Sequence, residues 1–508
     1  MDPVSRGISV VEIPPRGQVI PVERVSVAAF IGPAPRGPVN IPVAVHSLEE
    51  FLARFSVPGY PSRTEFLLYQ YFENGGREAV VVRVSRSARC NQITLPGLCG
   101  DLKLEARNPG PLEHLRASVD HDGTASADRL RFNLVIHRCR SPSQPLVEEQ
   151  EVYQGLSLQP GHAEFIGTVL ERSGLVRLAG PLPAERPTRT VGSGNVVNYV
   201  YGRWDWQGDN APTDYDLIGS REESTGLFAL EQVPWVDFVT LVPGATGATL
   251  GPVALFAADG YCRERSALLL LDPPGSWGEV DDAVRVQRKR DFTSPNAITY
   301  FPALESPPHG DPRGHLSAAG AIAGALAAWD LATVKRPLLS LGRSRPVLAL
   351  EEGDVHQLGR LGVNTLVRSA GKIELAGLTT MARSGGPTPW NSLRQRRIAL
   401  IVMGGVLRYT RWAAFEPGGD QADSEVQDQL QQYLAALRAR GLLAGAEPRE
   451  AFFVRCERRA AGSELLLTIT VGLALNRPGE FVAFEVSHAP GMSLSREITW
   501  KPGLALAG

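Results

Sequence analysis

Apolar and polar residues alternate at the start of the chain. Over residues 8–13, Ile8 and Val10 fall on one side and Val11 and Ile13 on the other, the period of a strand. Pro14, Pro15 and Gly17 then stop it, with chemistry that suits either a strand terminator or a hinge. A second strand is predicted over residues 25–31, ended by Gly32-Pro33. The spacing then turns helical. Leu48, Phe51, Leu52 and Phe55 share one face behind a Ser47/Glu50 capping pair. Another helix is predicted over residues 64–73, stopped by Asn74-Gly75-Gly76, and a strand follows over 79–84.

Between residues 86 and 190 short alternating runs, such as 102–106 and 130–137, are separated by Pro, Gly and Ser, which predicts a β-rich inserted module. From about 195 to 368 the pattern changes again. Apolar runs at 236–242, 268–272 and 297–301 alternate with helical stretches at 280–290 and 316–329, which predicts an α/β unit with parallel pairing. The clearest amphipathic helix lies at 424–440. Ser424 and Gln427 cap it, Val426, Leu430, Tyr433, Leu434 and Leu437 form its stripe, and Gly441 ends it. Strand-type runs follow at 452–456, 465–471, 481–486 and 497–500.

Composition narrows the classes. The 508 residues are 43% hydrophobic and 21% charged, the balance of a globular protein, and the length corresponds to about three domains. A net charge of −2 gives no overall basic field for nucleic acid. Of the 52 basic residues 47 are Arg, a bias that fits either GC-rich coding or an interface-rich protein. Cys90, Cys99, Cys139, Cys262 and Cys456 show no CxxC spacing and read as reduced thiols. The first residues lack the pattern of a secretory signal, and no uncharged apolar run reaches membrane-spanning length, so the expectation is cytoplasmic synthesis.

The search for chemistry is mostly negative. There is no phosphate-loop, HExxH or GxSxG motif. Asp272, at the end of an apolar strand before Pro273-Pro274-Gly275, suits either a turn cap or a ligand contact. Asp281 and Asp282 with Arg285, Arg288, Lys289 and Arg290 suit a solvated helix face. Arg394, Arg396 and Arg397 suit either anion binding or inter-subunit ion pairs. No catalytic, cofactor or metal residue is predicted.

Several runs, in order, resemble one family. GISVVEIPP, VSVAAFIGPAPRGPVNIPVAV and YFENGGREAVVVRV lie near the start. TGLFALEQVPWVDFVTLVPG and LLLLDPPGSW lie in the middle. RQRRIALIVMGGVLRYTRWAAFEPGG, GLLAGAEPREAFFVRC and GEFVAFEV lie towards the end. The chain resembles the contractile tail sheath proteins of bacteriophages and phage-tail-like extracellular injection systems.

The resemblance implies a multidomain α+β and α/β fold. Residues 1–24 would be a strand-donating arm, 25–85 with 369–487 a tube-proximal core, 86–190 a β-rich outer domain, 191–368 an α/β domain and 488–508 a C-terminal arm. Ile8, Val10, Val11, Ile13, Ile498 and Trp500 would carry the arm strands, and Glu425, Asp428 and Arg438 would face the tube. The implied partners are further copies in a helical stack of six-fold discs, an inner tube protein, and baseplate and terminator or cap proteins. Sheath paralogues and an AAA+ ATPase are further candidates. No nucleic acid, cofactor or membrane insertion is implied. Assembly would be cytoplasmic, followed by a place in a phage tail or released particle. The rival readings are an α/β enzyme of hydrolase or transferase type around Asp272, and a static polymerising baseplate or surface component.

Overall fold

The computed structural model of the chain describes residues 16–86, 89–125, 127–141, 146–192, 196–203, 211–244, 248–305, 315–330, 340–341, 345–369, 372–382, 389–415, 420–461, 464–489 and 492–498. It is a mixed helix-and-strand protein with several sheets, as expected.

The first described elements are β1 (Val27–Gly32), β2 (Pro42–Val45), α1 (Leu48–Phe55), α2 (Arg63–Glu73) and β3 (Glu78–Arg83). Local chemistry sets both helices. The Ser47 hydroxyl accepts the Glu50 N–H at 3.2 Å, and the Ser62 hydroxyl accepts the Glu65 N–H at 3.1 Å. Phe51 and Phe55, one turn apart, stack with ring centroids 5.3 Å from each other.

The chain then enters the predicted β-rich module. Its elements are β4 (Gln92–Leu95), β5 (Leu102–Ala106), β6 (Leu115–Asp120), β7 (Arg131–Cys139), β8 (Val147–Ser157), α3 (Ile166–Leu170), β9 (Val176–Leu178) and β10 (Val200–Tyr201). Two antiparallel sheets, β10-β6-β7-β8 and β4-β5-β9, enclose a separate core that includes Ile93, Leu104, Phe132 and Ile136. The module runs past residue 190, because β10 pairs with β6. Gln92 and Arg203 exchange backbone hydrogen bonds of 3.1 and 2.9 Å, so the chain enters and leaves at one point. Excising residues 91–203 across a short Gly/Ser bridge is therefore expected to leave a folded remainder. The lost contacts, Arg36 to Glu148 at 2.6 Å and Arg83 to the Pro109 carbonyl at 2.7 Å, would cost about 1–3 kcal/mol in a urea titration. A remainder with no cooperative transition would show the module to be part of the main core.

The third stretch supplies α4 (Asp214–Ile218), β11 (Phe238–Leu241), α5 (Pro252–Glu264), β12 (Leu268–Leu271), α6 (Val280–Arg288), β13 (Ala297–Phe301), β14 (Leu304–Glu305) and β15 (His315–Leu316). It continues with α7 (Ala319–Asp330), β16 (Ser340–Leu341), α8 (Glu352–Arg360), β17 (Asn364–Ser369) and β18 (Lys372–Ala376). The main sheet has nine strands in the order β16-β18-β17-β13-β12-β11-β1-β3-β2. The strands from β3 to β17 are parallel, and β2, β18 and β16 add antiparallel edges.

Strand pairing thus divides the chain differently from the sequence reading, which joins residues 25–85 to 369–487 and separates 191–368. Here β1 lies beside β11, with Ala28 opposite Phe238. The cause is burial: β1 reads VAAFIG and is buried at every position, which only a central strand with both faces covered provides. Ala28 and Phe30 point into one core with α1, α2 and α7, while Val27, Ala29 and Ile31 point into the other with α5. The small residues of α7 permit its close approach to α2. A Cβ on Gly320 would sit 2.1 Å from the Leu67 carbonyl oxygen, and one on Gly324 would sit 2.3 Å from that of Tyr71.

The last stretch forms a second unit from α9 (Leu393–Tyr409), α10 (Asp420–Ala439), α11 (Pro448–Ala451) and an antiparallel sheet. That sheet runs β19 (Phe452–Ala461), β20 (Glu464–Ala474), β21 (Phe481–Ala489) and β22 (Met492–Ile498), in that order. The apolar stripe predicted on α10 is buried against Val454, Leu467, Ile469 and Val471. The helix starts at Asp420 rather than at Ser424, which lies inside it. Ala422 extends the buried stripe back by one turn, and Asp423 complements the helix N-terminus. Residues Leu393–Phe415 have the length and hydropathy of a membrane span, but much of this stretch packs inside the protein.

Candidate assembly sites

The predicted tube-facing residues lie on α10, but two of the three are engaged within the chain. Glu425 receives both Arg16 Nε and Nη2 at 2.7 Å, which holds its carboxyl below the usual range. Arg438 donates to the Ala446 carbonyl. Asp428 is exposed, as are its neighbours Ser424, Gln431 and Gln432. The sequence reading missed the reason for the Glu425 contact: residues 16–24 are docked on this unit. Gln429 donates to the Gln18 carbonyl, Ile20 is buried in the C-terminal core, and Glu23 pairs with Arg440 at 2.7 Å. The arm residues Ile8, Val10, Val11 and Ile13, together with Pro14 and Pro15, lie outside the described residues, as does Trp500.

Arg24 continues this docking into a buried joint between the two units. Its guanidinium makes two 2.6 Å bonds to Asp237, whose Oδ2 also accepts the Val27 N–H at 3.0 Å. Arg397, on α9, reaches the same carboxylate at 3.3 Å and binds Asp330 at the end of α7. Asp330 also accepts the Ser26 hydroxyl at 2.7 Å. Burial alone would raise the pKa of Asp237, but Arg24 and Arg397 hold it below the usual range. Two cations and two carboxylates therefore balance inside a largely buried joint, and the Arg397 guanidinium lies 4.4 Å over the Phe238 ring. The basic cluster read from the sequence as anion-binding or inter-subunit is thus intrachain at Arg396 and Arg397. Both side chains are 2% exposed, because α9 packs that face against the main sheet.

Arg396 secures the C-terminal strand. It binds Glu497 of β22 and the Asn296 side chain beside β13. Ile498 ends β22 opposite Ala483, so the predicted arm residue caps an edge strand of its own sheet. The neighbouring hairpin carries His488, fully buried between the Thr410 hydroxyl and the Ser493 hydroxyl, each at 2.8 Å. Burial, reinforced by Arg411, pushes its pKa down to about 4. The imidazole is neutral in the folded chain, whereas the unfolded chain protonates it near 6.5. Its contribution is complete above that value and falls as pH drops from about 6.5 towards 4, by about 1.4 kcal/mol per unit of difference. His488→Gln keeps hydrogen-bonding capacity and removes the titration. Urea unfolding at pH 7 and pH 4.5 is expected to show a smaller stability difference in the variant, and an equal difference would remove this account.

The other candidates separate cleanly. Asp282 pairs with Arg285 along one face of α6, the arrangement of a solvated helix. Among the described residues no disulfide joins any of the five cysteines. Among the described residues no group of His, Cys, Asp and Glu is arranged to hold a metal. Asp272, half-buried just after β12, accepts the Ser317 hydroxyl, a structural contact just before α7.

No protein-family model and no curated protein sequence matches the chain. Solved structures do. A sheath tail protein from Listeria innocua superposes with a TM-score of 0.61 at 12% identity, over 92% of this chain and 95% of its own. The chain has the contractile tail sheath fold. A sheath tail protein from Desulfitobacterium hafniense shares the fold with a TM-score of 0.54 at 10% identity, over 97% of this chain and 100% of its own. The sheath subunit of a contracted PVC complex, an extracellular contractile injection system, shares it at 0.52 and 14% identity, over 95% and 97%. The sheath fold so matched takes in the module, the nine-stranded sheet and the C-terminal unit together.

Proposed function

We propose that this chain is the structural subunit of a contractile sheath, which polymerises helically around an inner tube and shortens to drive that tube through a target envelope. The observation that carries the reading is the fold shared end to end with sheath tail proteins, over 92% of this chain and 95% of the Listeria protein. The chemistry is compatible with it. The antiparallel C-terminal sheet has two edge strands, β19 and β22, and edges of this kind accept a further strand through backbone hydrogen bonds. The N-terminal arm is the strand proposed to fill such an edge on a neighbouring subunit. A head-to-tail contact of that kind, which does not close, builds a helix. The partners are therefore further copies, an inner tube protein and a baseplate, and the setting is a phage tail or a released particle.

The exposed face of α10 around Asp428 is the proposed tube contact. Asp428→Arg is expected to weaken sheath–tube co-assembly about tenfold or more while leaving tube-free polymers intact, since the side chain is exposed and has no hydrogen bond or ion pair to lose among the described residues. Co-sedimentation with the tube protein measures this, and unchanged co-sedimentation would move the contact elsewhere. The reading as a whole is tested by electron micrographs of the chain assembled with its tube. Particles of two lengths are expected; tubes of one fixed length would indicate a static polymer, and a monomer at all concentrations would remove the reading.

A further inference from the structure

The main sheet contains a crevice lined by none of the proposed arm or tube-contact residues. From β1 the chain winds one way to β3, and from β11 it winds the other way through β12 and β13. Ligands of open α/β sheets gather near such a reversal, outside the carboxyl ends of the strands. A cavity of about 310 Å³ opens there, within the range of small-molecule sites. Leu241 and Leu271, the last residues of β11 and β12, and Leu255 of α5 form its apolar wall.

Its polar groups are unbalanced in one direction. Arg290 lines the cavity, and its Nη1 is buried with no hydrogen-bond partner among the described residues. Burial lowers its pKa. Its guanidinium lies 5.7 Å from the Phe292 ring centroid, a contact that supplies no acceptor. Trp277, 6% exposed and set edge-on to Phe301, lines the same cavity, and its indole N–H is also buried without an acceptor among the described residues. Arg63 adds a second guanidinium. Among the described lining residues the opposing charge is Asp272, whose carboxyl burial pushes up while the Ser317 hydroxyl and Arg63 act against that shift. Buried donors without acceptors are costly, and a buried cation without an anion more so.

We propose that this cavity binds a small molecule bearing an oxyanion, a phosphate or a carboxylate, through Arg290, Arg63 and the Trp277 indole. The two guanidinium forks match the geometry of either oxyanion. The apolar wall of leucines accommodates the rest of a compact ligand. This is a ligand site on a structural subunit, independent of the strand edges and of the tube-facing helix.

The test uses the full chain with inorganic phosphate, ribose 5-phosphate and citrate, each against sodium chloride of equal ionic strength. Thermal shift and isothermal titration calorimetry are the readouts. At least one of the three is expected to bind and raise the melting temperature; the phosphates and citrate distinguish the two oxyanions. Arg290→Gln should weaken that binding about tenfold or more. It should leave the melting temperature of the ligand-free protein unchanged or higher, because it removes a buried donor that has no acceptor among the described residues. Ala303→Phe, which fills the cavity without altering its charge, should also abolish binding. Binding by none of the three probes would overturn the proposal. So would binding that both variants retain, or a ligand-free Arg290→Gln protein destabilised by several degrees.

Discussion

Asp237→Ala is expected to destabilise the folded chain by about 3–5 kcal/mol, the largest effect of any single substitution considered for its stability. The carboxylate is 1% exposed and is shared by Arg24 and Arg397, so its removal leaves Arg24 without its buried partner and Arg397 with Asp330 alone. The loss arises from the uncompensated cation more than from the bonds themselves. A double replacement, Arg24→Met with Asp237→Leu, removes one charge of each sign and leaves the Arg397–Asp330 pair intact. It is expected to recover more than half of the loss. Urea titration of the three proteins decides this, and a loss below about 1 kcal/mol in Asp237→Ala would show that water reaches the joint.

The sign of the pH dependence follows from the same geometry. The folded pKa of Asp237 lies below its ordinary value. Its contribution is therefore complete above about pH 4 and is lost as pH falls through the folded value. Arg397 is shifted upward, so its contribution is present throughout the accessible range and would be lost only in strong alkali. The acid limb of the stability curve should accordingly be shallower in Asp237→Ala than in the wild-type chain. His488 acts in a different window, between about pH 6.5 and 4, so the two effects can be read separately.

The sequence disclosed elements more readily than their assembly. The strand at 297–301 is observed as β13 with the same bounds, and α1 is capped by Ser47 as its spacing implies. These features are local: a hydroxyl three residues before an amide, or an apolar run bounded by breakers. The placement of β1 beside β11 is not local. The two strands are about two hundred residues apart, and the clue was only that VAAFIG has no polar face to leave in water. Arg396 and Arg397 illustrate the same limit at the site. Their composition announced a charged cluster, but Asp237, Asp330 and Glu497 lie far away in the chain and no spacing rule links them. The docked segment 16–24 was hidden for a similar reason, since Arg16 and Glu425 are 409 residues apart. The family resemblance reached the overall fold where pattern reading stopped, but the domain division it implied still parted β1 from β11.

Deleting residues 1–15 is expected to abolish polymerisation while leaving a folded, soluble subunit. The cut falls just before the anchors that hold the N-terminal segment to its own chain. Arg16 keeps its two bonds to Glu425, Ile20 stays buried, and Arg24 keeps Asp237. The shortened chain should therefore unfold at nearly the urea concentration of the intact one, because these anchors are all retained. Assembly should fail because a donated strand supplies several backbone hydrogen bonds per contact, and no other described segment is placed to replace it. Deleting residues 1–24 separates the two roles. That cut also removes Ile20 from the C-terminal core and leaves Asp237 with Arg397 alone, so it should lower stability as well as assembly. Sedimentation velocity, electron micrographs and urea titration of both deletions distinguish the cases. Polymers formed by the 1–15 deletion would show that the arm is dispensable. Unfolding of that deletion would show that residues 1–15 belong to the core of their own subunit, and strand donation would then have to come from the C-terminal edge.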